Sequence, residues 1–155
     1  MTENPRCSGW FKFAGPEPSV LTGTQLRKPR AIAADDHSGF LANVVSVLEA
    51  EFDVVATARD GKSALDLVRH YKPDLVVLDI QMPGLNGLEV TAQLADDPES
   101  PPVVICSVET GPDVVNAALQ AGALAYVFKM RIHKDLILAA KSVLQRKAFV
   151  SLASR

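Results

Sequence analysis

The sequence predicts an α/β fold in which a parallel sheet of five strands is covered by helices on both faces. Five short apolar runs alternate with five amphipathic segments between residues 30 and 146, at the short spacing typical of strand–helix–strand units. The run Leu75–Leu78 is apolar at every position, as expected for a strand buried on both faces. It is followed by a single carboxylate, Asp79, and then by the turn dipeptide Pro83-Gly84.

Each strand is predicted from an apolar run, and each helix from apolar residues at helical spacing. In the first helix Phe40, Val44 and Leu48 recur every four residues, and Ser38 is a plausible N-cap. The predicted strands are Ala31–Ala34, Phe52–Ala56, Leu75–Leu78, Val103–Ser107 and Ala125–Lys129. The other helices are predicted around Ala64, Leu65 and Val68, around Leu85, Leu88, Ala92 and Leu94, over Pro112–Ala121, and over His133–Arg146.

Composition argues against several classes of protein. The formal charge of −2 provides no global field that would attract nucleic acid. No apolar run approaches the roughly 20 residues needed to span a membrane, and no secretory signal is recognisable. Cys7 and Cys106 are far apart and have no CxxC partner, which favours a reduced, cytoplasmic protein with Cys106 in the core.

Residues 1–29 are interpreted as a flexible leader ahead of one domain at residues 30–150, with residues 151–155 as a tail. The leader holds four of the ten prolines and shows no sustained periodicity. The aromatic group Trp10-Phe11-Lys12-Phe13 leaves a docking motif open as the alternative.

Polar residues follow four of the predicted strands. Asp35 and Asp36 follow the first strand, Asp79 the third, Ser107 ends the fourth and Lys129 the fifth. Because the carboxyl ends of parallel strands lie along one edge of a sheet, we expect these side chains to meet there.

Three neighbouring carboxylates repel one another unless a cation or a proton intervenes. Oxygen ligands and a site that also receives phosphate favour Mg²⁺. Lys129 and Ser107 could stabilise the oxygens of a phosphoryl group in transfer, and ionised Asp79 could be the nucleophile that forms an acyl phosphate. Singly, each residue could instead cap a helix, start a turn or be a solvated strand end. Their joint placement at strand ends favours a site.

Residues 30 to about 150 resemble a response-regulator receiver domain of two-component signalling. The segments that carry the resemblance are Ala34–His37, Val77–Gly87, Ile105–Ser107 and Ala121–Lys129. The resemblance implies a flavodoxin-like sheet with strand order 2-1-3-4-5. It also implies a protein that is not an enzyme in its own right, but a phosphoryl acceptor that assists its own phosphorylation and dephosphorylation.

The resemblance assigns roles to the candidate residues. Asp79 would accept a phosphoryl group from a histidine kinase or a histidine phosphotransfer protein. Asp36, Asp79 and the backbone carbonyl of Gln81 would bind Mg²⁺, with Asp35 acting partly through water. Ser107 and Lys129 would hold the phosphoryl oxygens.

The resemblance also implies a switch. Ser107 would move toward the phosphoryl group, and Tyr126 on the fifth strand would turn inward behind it. The face formed by the fourth helix, fifth strand and fifth helix would then change its binding to a downstream protein partner. A homodimer is left open.

Three departures from the family pattern stand close to the site. Met130 follows Lys129 where many receivers have a proline after a cis peptide bond; a non-proline cis bond costs about 3–4 kcal/mol, so a trans bond is expected here. Val108 stands where a smaller residue is common and could narrow the site. Gln81 and Glu109 occupy positions that tune dephosphorylation in the family.

The preferred interpretation is a stand-alone receiver, and the first alternative is the receiver half of a DNA-binding regulator. The segment Gln145–Ser151 resembles a receiver-to-linker segment, but no recognition helix follows, so no nucleic acid is expected to bind this chain itself. An aspartyl phosphatase is disfavoured, because that class often has a second Asp as general acid at the position of Gln81, and a glutamine cannot usefully donate a proton. A flavin- or nucleotide-binding module is also disfavoured. It needs a loop rich in Gly, Ser or Thr after the first strand to bind phosphate, and this chain has Asp35 and Asp36 there. An unphosphorylated pseudo-receiver is a further alternative.

Overall fold

The computed structural model describes residues 27–152. The predicted leader lies outside the described residues except for 27–29, as do residues 153–155 of the predicted tail. The strands are β1 (Arg30–Ala34), β2 (Asp53–Ala58), β3 (Leu75–Leu78), β4 (Val103–Ser107), β5 (Ala125–Phe128) and β6 (Phe149–Val150). The helices are α1 (Ser38–Leu48), α2 (Gly61–Tyr71), α3 (Gly87–Ala95), α4 (Pro112–Ala121) and α5 (Ile132–Leu144).

The strands form one parallel sheet in the order β2-β1-β3-β4-β5-β6. The predicted order of the first five strands is therefore confirmed. The sixth strand was not predicted: two residues, Phe149 and Val150, pair with Ala125 and Tyr126 at the outer edge of β5. A pair of residues is too short to give a sequence pattern. The next residue, Ser151, continues the contact with β5, because its backbone N donates to Tyr126 O at 2.8 Å.

The sheet separates two apolar layers, as expected for a doubly wound fold. Helices α1 and α5 pack on one face, over a core that includes Leu48, Val77, Cys106 and Leu136. Helices α2, α3 and α4 pack on the other face. Because both faces are covered, every residue of the central strands β3 and β4 is buried. The carboxyl ends of the strands are left free to carry polar groups.

Helix α1 begins differently from the prediction. Its N-cap is His37, whose Nδ1 accepts a hydrogen bond from Phe40 N at 3.0 Å, and Ser38 is the first residue of the helix. A histidine nitrogen thus does the work that a hydroxyl was expected to do.

Helix α3 also differs from the prediction, because it begins at Gly87, so Leu85 lies in the preceding loop. A capping box between Asn86 and Glu89 fixes that start. The buried residues of the helix are Gly87, Val90, Thr91 and Leu94, whereas Ala92 is exposed.

The chain leaves β5 through a tight turn. Strand β5 ends at Phe128, and Lys129 begins a single 3-10 turn, Lys129–Arg131, which leads directly into α5. Lys129 was predicted as the last residue of the strand and α5 was predicted to start one residue later. No helix within residues 27–152 combines the length and apolar character that crossing a membrane requires.

Candidate functional site

Three of the predicted site residues meet at the carboxyl edge of the sheet. The Nζ atom of Lys129 lies 2.8 Å from Asp35 Oδ2 and 3.3 Å from Asp79 Oδ2. The two carboxylates follow neighbouring strands, β1 and β3, and both side chains are almost fully buried. Because the Lys129 side chain is largely buried and pairs with both acids, it is not a solvated strand end.

The acids form a cluster that fits a divalent cation. Asp35, Asp36 and Asp79 each offer a carboxylate oxygen, and these oxygens all lie within 4.8 Å of one another. Asp36 is exposed, whereas Asp35 and Asp79 are buried, so an ion could enter from solvent and bind groups on both sides. Hard oxygen ligands of this kind suit Mg²⁺. The cluster carries three carboxylates against one lysine, and a cation would supply the missing positive charge.

The backbone around Asp79 holds its carboxylate in place. Asp79 N donates to Ala34 O at 3.0 Å, and Ile80 N donates to Asp79 Oδ1 at 2.8 Å. Gly87, the first residue of α3, lies so close that a Cβ atom there would be 2.1 Å from Asp79 O. Gly87 is required because the start of α3 closes directly onto the backbone of the candidate nucleophile.

The pKa of Asp79 is raised to about 6. Burial is the main cause and the negative charge of Asp35 adds to it, while Lys129 opposes both. The folded protein therefore binds a proton at Asp79 more tightly than the unfolded chain does. Its stability falls as the pH rises from about 4 through about 6, and the cost is fully present near pH 7.

Asp79→Asn is expected to stabilise the metal-free protein near pH 7. Removing the buried charge should raise the free energy of unfolding by on the order of 2 kcal/mol, since each pKa unit corresponds to about 1.4 kcal/mol. The gain should shrink toward pH 4, where wild-type Asp79 is protonated. Urea unfolding in a chelating buffer at both pH values measures this difference. If the variant exceeded wild type in unfolding free energy by the same amount at both pH values, the raised pKa of Asp79 would be contradicted.

Lys129 is also held by an aromatic ring that the sequence did not indicate. Its ammonium lies 4.4 Å from the centre of the Phe40 ring, a cation–π contact. The ion pairs outweigh burial and raise the pKa of Lys129, so it stays charged. Phe40, His37, Val108 and Met130 line an open depression beside this ammonium. Phe40 was assigned only to the apolar stripe of α1, and no sequence signal distinguished its second role.

Ser107 and Tyr126 are linked through one loop residue. Ser107 Oγ accepts a hydrogen bond from Glu109 N at 3.1 Å, and the Tyr126 hydroxyl donates to Glu109 O at 2.8 Å. Tyr126 is completely buried. Burial raises the pKa of its hydroxyl. In this structure the tyrosine already points inward, and the Ser107 hydroxyl is engaged by its own loop.

The neighbouring loop positions are open to solvent. Val108 and Met130 are 66% and 74% exposed. Because Val108 lines the depression beside Lys129, the expectation that it narrows the site stays a prediction. Gln81 is exposed in the loop after Asp79, and a role for its carbonyl as a metal ligand stays a prediction.

Comparison with known proteins identifies the family. A family model described as the response regulator receiver domain matches residues 31–141. The chain belongs to the response regulator receiver domain family. The resemblance predicted from the sequence is thus confirmed. Asp35, Asp36, Asp79 and Lys129, which form the acidic edge, all lie in the segments that carried the resemblance.

Several relatives of this receiver are named as transcriptional regulators. The chain is 36% identical over 125 residues to the transcriptional regulatory protein DegU of Brevibacillus brevis, covering 79% of this chain and 53% of that protein. It is 34% identical over 131 residues to PrrA of Mycobacterium tuberculosis, covering 84% of this chain and 56% of PrrA. The signal receiver domain of NarL from Mycobacterium tuberculosis superposes with a TM-score of 0.67 at 35% identity, covering 75% of this chain and 98% of that one.

Proposed function

We propose that this receiver accepts a phosphoryl group on Asp79 from a histidine kinase or a histidine phosphotransfer protein, in a Mg²⁺-dependent reaction, and thereby switches its binding to a partner. The observation that carries the proposal is the placement of Asp79: a buried carboxylate at the carboxyl edge of the sheet that shares the Lys129 ammonium with Asp35. Membership of the receiver family supports the class of donor.

The chemistry assigns a separate task to each side chain. An Asp79 oxygen forms a bond to phosphorus while the bond from phosphorus to the donor nitrogen breaks. Lys129 balances negative charge on the phosphoryl oxygens, and the Ser107 hydroxyl is a hydrogen-bond donor for the same oxygens once it turns toward them. Asp36, Asp79 and the Gln81 carbonyl would hold Mg²⁺, with Asp35 acting partly through water. The ion, when bound, neutralises charge that the acids and phosphoryl oxygens would otherwise share.

The switch would act through Tyr126. When the Ser107 hydroxyl turns to the phosphoryl group, the loop at Glu109 loses one hydrogen bond and can shift, and the Tyr126 hydroxyl is bonded to that same residue. Such a change would reach the face of α4, β5 and α5, where β6 covers the outer edge of β5. We propose that a downstream protein partner, or a second copy of the chain, binds this face.

Intact mass spectrometry after incubation with acetyl phosphate tests the reaction. With Mg²⁺ present we expect a single phosphoryl adduct, and with a chelator in its place we expect none, because the crowded acids need a cation to accept a further anion. A folded protein that forms no adduct and binds no Mg²⁺ would contradict the proposal. It would point instead to an unphosphorylated binding module.

A second candidate is the receiver part of a DNA-binding transcription regulator. The names of the relatives favour it, and the chain spans about half the length of the curated relatives it matches. Sequencing the native transcript beyond the codon for Arg155 tests this candidate. An in-frame helix-turn-helix segment would support it. We expect a DNA gel-shift assay of the 155-residue chain to show no binding, since the net charge is −2.

We propose residues 1–29 as a leader and 30–150 as the receiver, in a cytoplasmic protein that works as a phosphoryl acceptor and not as a turnover enzyme. We propose residues 151–155 as a tail whose first residue, Ser151, is buried against the receiver.

A further inference from the structure

A polar cluster whose members Asp135 and Ser151 are buried bonds to the residues on either side of Lys129 and Met130. Asp135 Oδ2 accepts a hydrogen bond from Arg131 Nε at 2.8 Å and another from Ser151 Oγ at 2.7 Å. Ser151 Oγ in turn accepts one from Phe128 N at 3.1 Å. Asp135 and Ser151 are only 6% and 3% exposed. Buried polar groups that are fully hydrogen-bonded in this way hold a single geometry.

The carboxylate of Asp135 is ionised and paired with Arg131. Burial by itself would raise the pKa of Asp135, but the hydrogen bonds from Arg131 and Ser151 outweigh it and lower that pKa below its ordinary value. Arg131 and Asp135 stand four residues apart at the start of α5, the spacing at which helical side chains meet. Their pairing could have been predicted from the sequence, whereas the contribution of Ser151 could not.

The cluster fixes both ends of the turn that carries Lys129. Phe128, which donates to Ser151, directly precedes Lys129, and Arg131 is the last residue of the 3-10 turn. Between them stands Met130, whose side chain is 74% exposed and gives the turn little packing. Met130 also lacks the ring with which a proline would fix the backbone. The geometry of the turn therefore depends on its two ends.

We infer that Ser151, Asp135 and Arg131 are positioning residues for Lys129. By clamping the turn they place the ammonium between Asp35 and Asp79, where the phosphoryl group arrives. This inference rests on the proposed function for its effect on phosphorylation. Because Ser151 follows β6 and its backbone N donates to Tyr126 O at 2.8 Å, the same clamp ties the chain beyond α5 to the phosphoryl site.

A double-mutant cycle on the phosphorylation rate tests the inference, with acetyl phosphate as the donor so that no partner docking is involved. Ser151→Ala should slow adduct formation by about three- to tenfold, since small displacements of a catalytic group are costly. In a Lys129→Ala background the same change should have no further effect, because it acts through the ammonium. Additive losses would mean a general structural role and would overturn the inference.

Ser63→Ala is the matched control. It also removes a serine hydroxyl that donates to an aspartate at 2.8 Å, but at the exposed start of α2, and its rate should equal that of wild type. Should Ser151→Ala fail to fold, Arg131→Met keeps the aliphatic stem and removes one arm of the clamp. It should slow the reaction in the same manner, again only when Lys129 is present.

NMR of the Lys129 ammonium separates failure of this inference from failure of the proposed function. In lysine-labelled protein the Lys129 signal is identified by its absence from Lys129→Ala. Ser151→Ala, or Arg131→Met in its place, should shift that signal even if no adduct ever forms, and Ser63→Ala should not. An unchanged Lys129 signal would overturn the positioning role whether or not the protein is phosphorylated.

Discussion

Asp79→Asn is expected to reduce phosphoryl uptake from acetyl phosphate to background. The amide is nearly the same size as the carboxylate but carries no negative charge, so it cannot serve as the nucleophile. Intact mass spectrometry in the presence of Mg²⁺ measures the loss. Because this variant is also expected to be at least as stable as wild type without metal, unfolding would not account for an absent adduct.

Asp66→Asn is the matched control for that variant. Asp66 is an exposed acid on α2 that pairs with Lys62 at 3.6 Å and does not belong to the acidic cluster, so its substitution should leave the adduct unchanged. An adduct that persists on Asp79→Asn at the wild-type rate would assign the acceptor to another residue. Asp35 and Asp36 would be the next to test, since they share the cluster.

Lys129→Ala is expected to slow phosphorylation and to uncouple it from the switch. The variant should still form the adduct, more slowly, because Asp79 remains and a cation can still neutralise the acids. It loses the group that bridges Asp35 and Asp79 and that would hold the phosphoryl oxygens in place. Without it the Ser107 hydroxyl would not be drawn from Glu109 toward those oxygens, and the bond between Tyr126 and Glu109 would not be disturbed. We expect phosphorylation of this variant to leave the surroundings of Tyr126 unchanged.

Fluorotyrosine NMR measures the uncoupling. The chain has two tyrosines, so a Tyr71→Phe variant assigns the Tyr126 signal. In the wild type that signal should change on phosphorylation; in Lys129→Ala it should not. Lys62→Ala, which breaks an exposed pair on α2, should behave as wild type. A Lys129→Ala protein whose Tyr126 signal responds fully would show that the switch does not need the ammonium.

The fold could be predicted from the sequence because its signals are local and repeated. A buried strand such as Leu75–Leu78 shows an unbroken apolar run, and parallel strands joined by helices permit few arrangements. The predictions were wrong or incomplete where contacts between distant parts of the chain determine the structure. Ala92 fits an apolar stripe but faces solvent, because α3 is oriented by Gly87 and its contact with Asp79. Strand β6 has only two residues, and the residue after it, Ser151, bonds to Asp135 on α5, a contact between distant parts of the chain that no local pattern indicates.

The residues of the candidate site could be predicted, but the burial and hydrogen bonds of its side chains could not. Strand ends indicated that Asp35, Asp79 and Lys129 would meet, and they do. The sequence did not show that Tyr126 is fully buried or that the Ser107 hydroxyl bonds to Glu109, because side-chain orientation depends on the packing of several elements at once. The Phe40 contact with Lys129 was missed for the same reason.

Cys106 provides a built-in probe of how often the sheet opens. Its thiol is 2% exposed in the middle of the protein, on β4 beside Ser107, and burial raises its pKa to about 12. Near pH 7 the reactive thiolate is then a negligible fraction of the folded protein. With Cys7 replaced by serine, a thiol reagent can modify the chain only when β4 is exposed. The rate of labelling would therefore report the free energy of opening under native conditions, and comparing it with and without phosphoryl group or Mg²⁺ would give the energetic coupling between the acidic edge and the core.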